Sequence, residues 1–444
     1  MLLNGQYAHA CCVVILTFTV KILSIEVVKT AKALMMKDEK TQDLGADSSG
    51  PTSGIDENIP GPAEPPSSAV TQSYISGPRL WAVTAAVTLV VFLMLLDMSI
   101  IATAIPKITT EFQSLGDIGW YGSAYNLAAA ALQPLTGKIY THFKVKWTFI
   151  IFLLIFAVGS LICGVAVNSN MLIGGRAVAG LGVSGLQNGA MTIITNSVPF
   201  QKRALLLGIL IGCGQLGIVF GPLVGGAITE YSTWRWCFYL NLPAAAIVTA
   251  VLVLIHIPER PAPVEHRRLR SVLKDLDLSG FVIFAPAAIM FLLGLEYGGR
   301  EYPWKSATVI GLLVGAGGAF ALFFAWEQRQ GENAMIPLRM MRKREVWSSM
   351  LVGTFIMGTI FVFSFYLPIY FQAVRDASPF TSGVYVLPNI LTSTFFAVLS
   401  GSLVTKTGYY IPWVLFGGAL ATIASGLFTT LTPSTTTAQW AGYQ

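Results

Sequence analysis

The chain has 444 residues, 54% of them hydrophobic and only 11% charged, with 43 glycines, 10 tryptophans, five cysteines and a net charge of +6. A soluble globular chain carries about 25% charged residues, so this composition excludes a water-covered surface. Five cysteines, with Cys163, Cys213 and Cys237 inside apolar runs, exclude a disulfide scaffold, and basic residues spread between apolar runs argue for membrane topology and against nucleic acid.

The two N-terminal segments are set apart from the rest. Within residues 1–36, the run from Ala10 to Val28 is broken by Lys21 and Glu26 and lacks the basic flank of a signal peptide. A twelfth span and an interfacial helix are alternatives, but the preferred reading is an upstream extension, with the natural start at Met35-Met36. Residues 37–79 are rich in Ser, Pro, Gly and acids, and they read as a disordered cytoplasmic tail.

Eleven long apolar runs follow, at 81–104, 119–136, 147–167, 171–197, 205–228, 237–257, 279–297, 307–326, 347–371, 380–402 and 411–431. About 20 helical residues cross the hydrocarbon layer, and continuous runs point to helices, not to the alternation of a barrel. The expected fold is an all-α polytopic membrane protein. With the N-terminus in the cytoplasm, the inward connections hold sixteen Lys and Arg, among them Arg267, Arg268, Arg270 and Lys274, against five outward. That is the positive-inside bias.

A weak internal repeat links Gly137-Lys138-Ile139-Tyr140-Thr141 before span three to Gly401-Ser402-Leu403-Val404-Thr405 before span eleven, an offset of 264. It maps span nine onto span one. The expected organisation is therefore a six-helix lobe at 80–258, a linker with two further spans at 259–346, and a partial second lobe of three helices at 347–444. By comparison with the first lobe, roughly 90 residues are expected beyond Gln444.

The motifs agree with a known plan. Leu96-Asp97-Met98-Ser99-Ile100-Ile101 through Ala104-Ile105-Pro106, Gly175-Arg176-Ala177-Val178-Ala179-Gly180-Leu181-Gly182, Gly217-Ile218-Val219-Phe220-Gly221-Pro222-Leu223-Val224-Gly225-Gly226 and Trp234-Arg235-Trp236-Cys237-Phe238-Tyr239-Leu240-Asn241-Leu242-Pro243 stand in that order. The set resembles the fourteen-span drug:proton antiporters of the major facilitator superfamily, in the fungal branch that exports drugs, toxins and secondary metabolites. The resemblance covers about residues 80–444. It implies proton-coupled efflux of a hydrophobic small molecule by alternating access between two lobes. One departure is Thr141, where the family usually places an acid. Gly137, Lys144 and Lys146 of that gating loop are kept, but Thr141 in place of the acid speaks against an acid-based latch there.

A proton-driven exporter needs an ionisable group reached alternately from each side. Asp97 and Arg176 are the full charges well inside spans, and a charge at a helix centre costs about 2.5–3.5 kcal/mol, which favours a functional reason. Both sit roughly 8–10 Å inside the outer boundary at 1.5 Å per residue. They are expected to face one cavity, with Arg176 holding Asp97 ionised until a proton or cation replaces it. The alternative is that Asp97 only hydrogen-bonds a neighbouring helix and Arg176 snorkels to the outer interface.

Span five carries Gly217, Gly221 and Gly225 on one face, followed by Gly226, with Pro222 able to bend it. This is a close helix contact, and by resemblance an antiport seal. Tyr125, Asn126, Gln133, Gln187, Asn188, Gln215, Phe361 and Tyr366 are the candidates for a large, weakly polar cargo. Packing competes as the reading of each aromatic, and Trp234 and Trp236 are expected at the outer interface.

The remaining chemistry is sparse. The four His make no metal or catalytic set, His9 lying in the N-terminal extension, no G-x-x-x-x-G-K-[ST] occurs, and Gly182-Val183-Ser184-Gly185 lacks a nucleophile elbow. No enzyme, metal, cofactor, nucleotide or nucleic acid is expected. The expected partners are a small hydrophobic substrate, protons and the lipid bilayer, with a monomer if the chain is full length. The plasma membrane is the preferred location, with the vacuole or another endomembrane as the alternative. Alternative functions are a siderophore or nutrient facilitator of the same superfamily, and a non-transporting remnant or interaction protein.

Overall fold

The computed structural model describes residues 74–255, 275–299, 301–377, 379–432 and 435–444. The predicted N-terminal extension, the cytoplasmic tail up to residue 73 and the basic stretch 256–274 lie outside the described residues, as does the Phe361 side chain.

Each of the eleven apolar runs coincides with helix. The elements are α1 (Pro78–Phe112), α2 (Ile118–His142), α3 (Val145–Gly164), α4 (Ser169–Ser197), α5 (Phe200–Tyr231), the single turn α6 (Trp236–Tyr239) with α7 (Asn241–Leu254), then α8 (Leu278–Tyr297) and α9 (Ala307–Gln330). After another turn, α10 (Leu338–Met341), come α11 (Arg344–Arg375), α12 (Pro379–Thr407), α13 (Ile411–Phe428) and the short α14 (Thr437–Tyr443). Nine of the described helical segments are long and apolar enough to cross a membrane. α1 runs for 35 residues, about 52 Å at 1.5 Å per residue, so it extends well past ~30 Å of hydrocarbon.

Local chemistry sets several of these ends. Pro78 opens α1 after Gly77, whose φ of +66° suits glycine. Asn168 caps α4 by accepting from the Met171 amide at 2.8 Å, and Ser306 caps α9 by accepting from the Val309 amide at 3.2 Å.

Helices α1 to α5 and α7 share one core, in which Val87, Val90, Phe149, Leu153, Phe156, Leu186, Ile193, Leu210 and Leu252 are buried. Glycines of α3 and α4 let backbones meet there. A Cβ on Gly159 would collide with the backbone of Ala179, one on Gly182 with that of Phe156, and one on Gly180 with the Tyr125 carbonyl. In lipid, where helices gain little from hydrophobicity against each other, such small-residue contacts supply the packing. α12 approaches α5 in the same way: Cβ atoms on Gly208 and Gly401 would collide with the Ala397 and Ala204 carbonyls, and Thr394 donates to the Gly212 carbonyl at 3.1 Å.

The helix pair α8/α9 docks on α2. Leu276, Phe323 and Met335 pack on Leu135, with Leu132 and Ile139 beside them, and Lys138 of α2 donates to the Asn333 carbonyl. Asp277 organises this corner. It caps α8 through the Gly280 amide at 3.0 Å and accepts from Trp326 Nε1 at 2.9 Å and from the Met335 amide at 3.0 Å. Burial pushes the Asp277 carboxyl up, but these donors outweigh it and hold it below the usual range. Its contribution is therefore complete above the ordinary carboxylate range and is lost as pH falls through the lowered folded value. Asp277→Ala is expected to cost about 0.5–2 kcal/mol for the cap, with a further loss from the bare Trp326 donor, while the Met335 amide keeps Glu327 Oε1 at 3.3 Å. Thermal unfolding in detergent against pH checks this: the deficit of the variant should shrink in acid.

Candidate functional site

The two intramembrane charges meet. Arg176 Nη1 donates to Asp97 Oδ2 at 2.6 Å, and both side chains are 1% exposed. Arg176 Nε donates to the Tyr121 carbonyl at 2.8 Å, and its guanidinium carbon lies 4.3 Å from the centre of the Tyr125 ring. The other carboxylate oxygen, Asp97 Oδ1, accepts from Asn241 Nδ2 at 2.8 Å, and the same amide nitrogen reaches Ser160 Oγ at 3.1 Å. Arg176 is thus turned into the helix bundle and does not snorkel.

Five elements build this cluster: α1 brings Asp97, α2 Tyr121 and Tyr125, α3 Ser160, α4 Arg176, and the start of α7 Asn241. Glycines make the approach possible. Beside Arg176, a Cβ on Gly175 would press on Cys163, and Gly180 seats the Tyr125 carbonyl. On the other side of α1, α5 lies against the turns that carry Asp97. Cβ atoms on Gly217, Gly221 and Gly225 would collide with Phe92, Ser99 and Thr103 respectively. Ser99 Oγ is within 3.2 Å of both the Leu96 and Gly217 carbonyls. Pro222 lies inside the continuous helix α5. Gly226 differs from the other three: nothing stands within 4 Å of a Cβ there. It lies one residue beyond the four-residue spacing and points off that face. Gly221→Leu is therefore expected to cost more than the usual 1–3 kcal/mol of overpacking, while Gly226→Leu leaves assembly unchanged. Size-exclusion chromatography and melting of the two variants in detergent check the contrast.

The remaining predicted residues are placed unevenly. Tyr125 is 2% exposed, with its hydroxyl donating to the Met94 carbonyl at 3.2 Å. It belongs to the charge cluster and not to an open cavity, because Arg176 lies on its ring face. Asn188 is half-buried and committed to the Gln133 carbonyl at 2.9 Å and Thr136 Oγ1 at 2.7 Å, so it ties α4 to α2. Gln133 and Gln215 are half-buried, and Asn126, Gln187 and Tyr366 are exposed.

The loop residues do not form one cluster. Lys146 donates to the Val253 and Ile255 carbonyls at 2.9 and 3.0 Å, a cation at the C-terminal end of α7. Lys144 is the N-cap residue of α3, and a Cβ on Gly137 would meet only Asn188 Nδ2, at an ordinary 3.8 Å.

Trp234 corrects an expectation. It is 2% exposed, packed edge-on against Phe112 and Phe238 at 5.7 and 6.1 Å, and its indole N–H donates to Glu111 Oε2 at 2.7 Å. The turn before α6 folds it inward, whereas Trp236 is 57% exposed.

The profile of the Major Facilitator Superfamily matches residues 87–443, a range that contains the whole cluster. This chain belongs to the major facilitator superfamily. It is 55% identical over 372 residues to "MFS-type transporter pigP" of Monascus ruber, a match covering 84% of this chain and 65% of that protein. It is 51% identical over 393 residues to "Efflux pump mokI" of Monascus pilosus, covering 86% of this chain and 72% of that one. To "Efflux pump mlcE" of Penicillium citrinum it is 52% identical over 380 residues, covering 84% and 69%. The chain therefore spans about two thirds of the length of these relatives. Major facilitators are transporters, not enzymes.

Sequence reasoning singled out Asp97 and Arg176 by their charge. It passed over Asn241 and Ser160, although Asn241 stood inside the motif from Trp234 to Pro243. A neutral amide 144 residues from Asp97 carries no signal of depth or charge. The break between α6 and α7, which places Asn241 at a helix start, was the available clue.

Proposed function

We propose that the protein exports a hydrophobic small molecule in exchange for protons, by alternating access, and that Asp97 carries the proton with Arg176 as its counter-charge. The observation that carries this reading is the ion pair itself, 2.6 Å long and 1% exposed on both sides. Desolvating two charges costs several kcal/mol each, and apolar residues of the same volume would often pack as well or better. A buried pair retained against that cost is accounted for by a state in which it opens. Protonation neutralises Asp97 and weakens its hold on Arg176, so the contacts among α1, α4 and α7 change with proton occupancy. The glycine contacts of α5 with α1 and with α12 then supply surfaces along which helices shift.

The relatives named efflux pumps support the direction of transport. The proton, the cargo class and the plasma membrane are parts of the proposal. Purified protein in liposomes, loaded with a lipophilic fluorescent dye, tests it. An imposed pH gradient should accelerate dye movement against the proton flow, and a protonophore should remove the acceleration. Dye movement indifferent to the gradient would contradict the proposal.

A further inference from the structure

We infer that Asn241 is a positioning residue for proton exchange, a reversible amide partner that serves both protonation states of Asp97. This rests on the proton-carrying role of Asp97. Asn241 is fully buried, and its Nδ2 is engaged with Asp97 Oδ1 and Ser160 Oγ. Its carbonyl oxygen, Oδ1, is buried without a hydrogen-bond partner. A bare buried acceptor is costly, and few survive in folded proteins without a reason. Here the bare acceptor belongs to the side chain that holds the carboxylate.

The chemistry of the three groups gives the reason. An ionised carboxylate only accepts, so the amide must present its nitrogen to Asp97, as observed. Asp97 Oδ2 is held by Arg176, so an arriving proton goes to Oδ1, the oxygen facing the neutral amide. A protonated Oδ1 needs an acceptor. Rotation of the amide by half a turn offers Asn241 Oδ1 to it, and the Ser160 hydroxyl, both donor and acceptor, reverses with it. Each orientation makes two hydrogen bonds and leaves one end of the amide bare. No covalent bond other than the O–H of Asp97 forms or breaks.

The surroundings of Asp97 include few competing groups. Arg176 faces it from α4, Tyr125 from α2, Ser160 and Cys163 from α3, Cys237 from α6 and Asn241 from α7. The α5 residues against this stretch of α1, Gly217, Phe220, Gly221 and Val224 among them, are not titratable.

A hydrogen bond to an ionised group is stronger than one between neutral groups, so the net effect of Asn241 favours the ionised state. Asn241→Leu should therefore let Asp97 take its proton at higher pH. The measurement is an infrared pH titration of the purified protein, following the protonated-carboxyl stretching band that Asp97→Asn removes. The midpoint is expected to rise by about one pH unit or more in Asn241→Leu, and by less in Asn241→Ser, whose hydroxyl both donates and accepts. Wild-type protein carrying 13C-labelled asparagine should show one side-chain amide band shifting at the same midpoint, and this reading survives if a variant does not fold. An unchanged midpoint in a folded variant, or an amide signal silent through the titration, would overturn the inference. If Asp97→Asn still couples export to the pH gradient, it is instead the underlying proton-carrying role that fails.

Discussion

Asp97→Asn is expected to abolish gradient-driven export while leaving passive equilibration of cargo. The amide matches the carboxylate in size but cannot take up a proton. For one neutral molecule exchanged per proton, one pH unit is about 1.36 kcal/mol and sustains about a tenfold concentration ratio. In the variant that ratio falls to one. Because the substitution leaves Arg176 buried and without its counter-charge, the double variant Asp97→Asn/Arg176→Gln is the companion. It removes both charges, and it too should show a ratio of one. Both are measured as steady-state dye ratios in liposomes at several imposed gradients.

The second large effect concerns assembly. Arg176→Met leaves an ionisable Asp97 buried, with Asn241 as the remaining hydrogen-bond donor to its carboxylate among the described residues. Breaking one side of a buried pair costs about 3–5 kcal/mol, because the remaining charge is uncompensated. The loss also includes the contact with the Tyr125 ring, about 2 kcal/mol when desolvated. Adding Asp97→Asn to Arg176→Met should return much of the melting temperature in detergent, though not export. A double variant no more stable than the single one would show that Arg176 acts mainly through the Tyr121 carbonyl and the Tyr125 ring, not through the charge of Asp97.

The helices were legible because each apolar run is long and bounded by polar residues, and every run became a helix. Their ends were less legible: α1, α2 and α5 begin before or continue past the apolar stretch, since backbone hydrogen bonding persists where hydropathy stops. Depth arithmetic put Asp97 and Arg176 at one level, and the structure joins them. What spacing could not show was rotation about each helix axis. Tyr125 was counted with the exposed Asn126 as a cargo candidate, yet one residue is a turn of about 100° on a helix, and it faces Arg176 instead. Gly226 failed for the same reason beside Gly225. Trp234 was read from the general preference of tryptophan for the interface, and a local turn with a Glu111 acceptor overrode it.

The proton is the centre of this account, and its release can be counted directly. A lipophilic cationic dye is added to purified protein in weakly buffered detergent, and the pH change is recorded for wild type and for Asp97→Asn. The account predicts protons released on dye binding by the wild-type protein, and none by the variant even where it still binds dye. Equal release from both would contradict the assignment of the proton to Asp97.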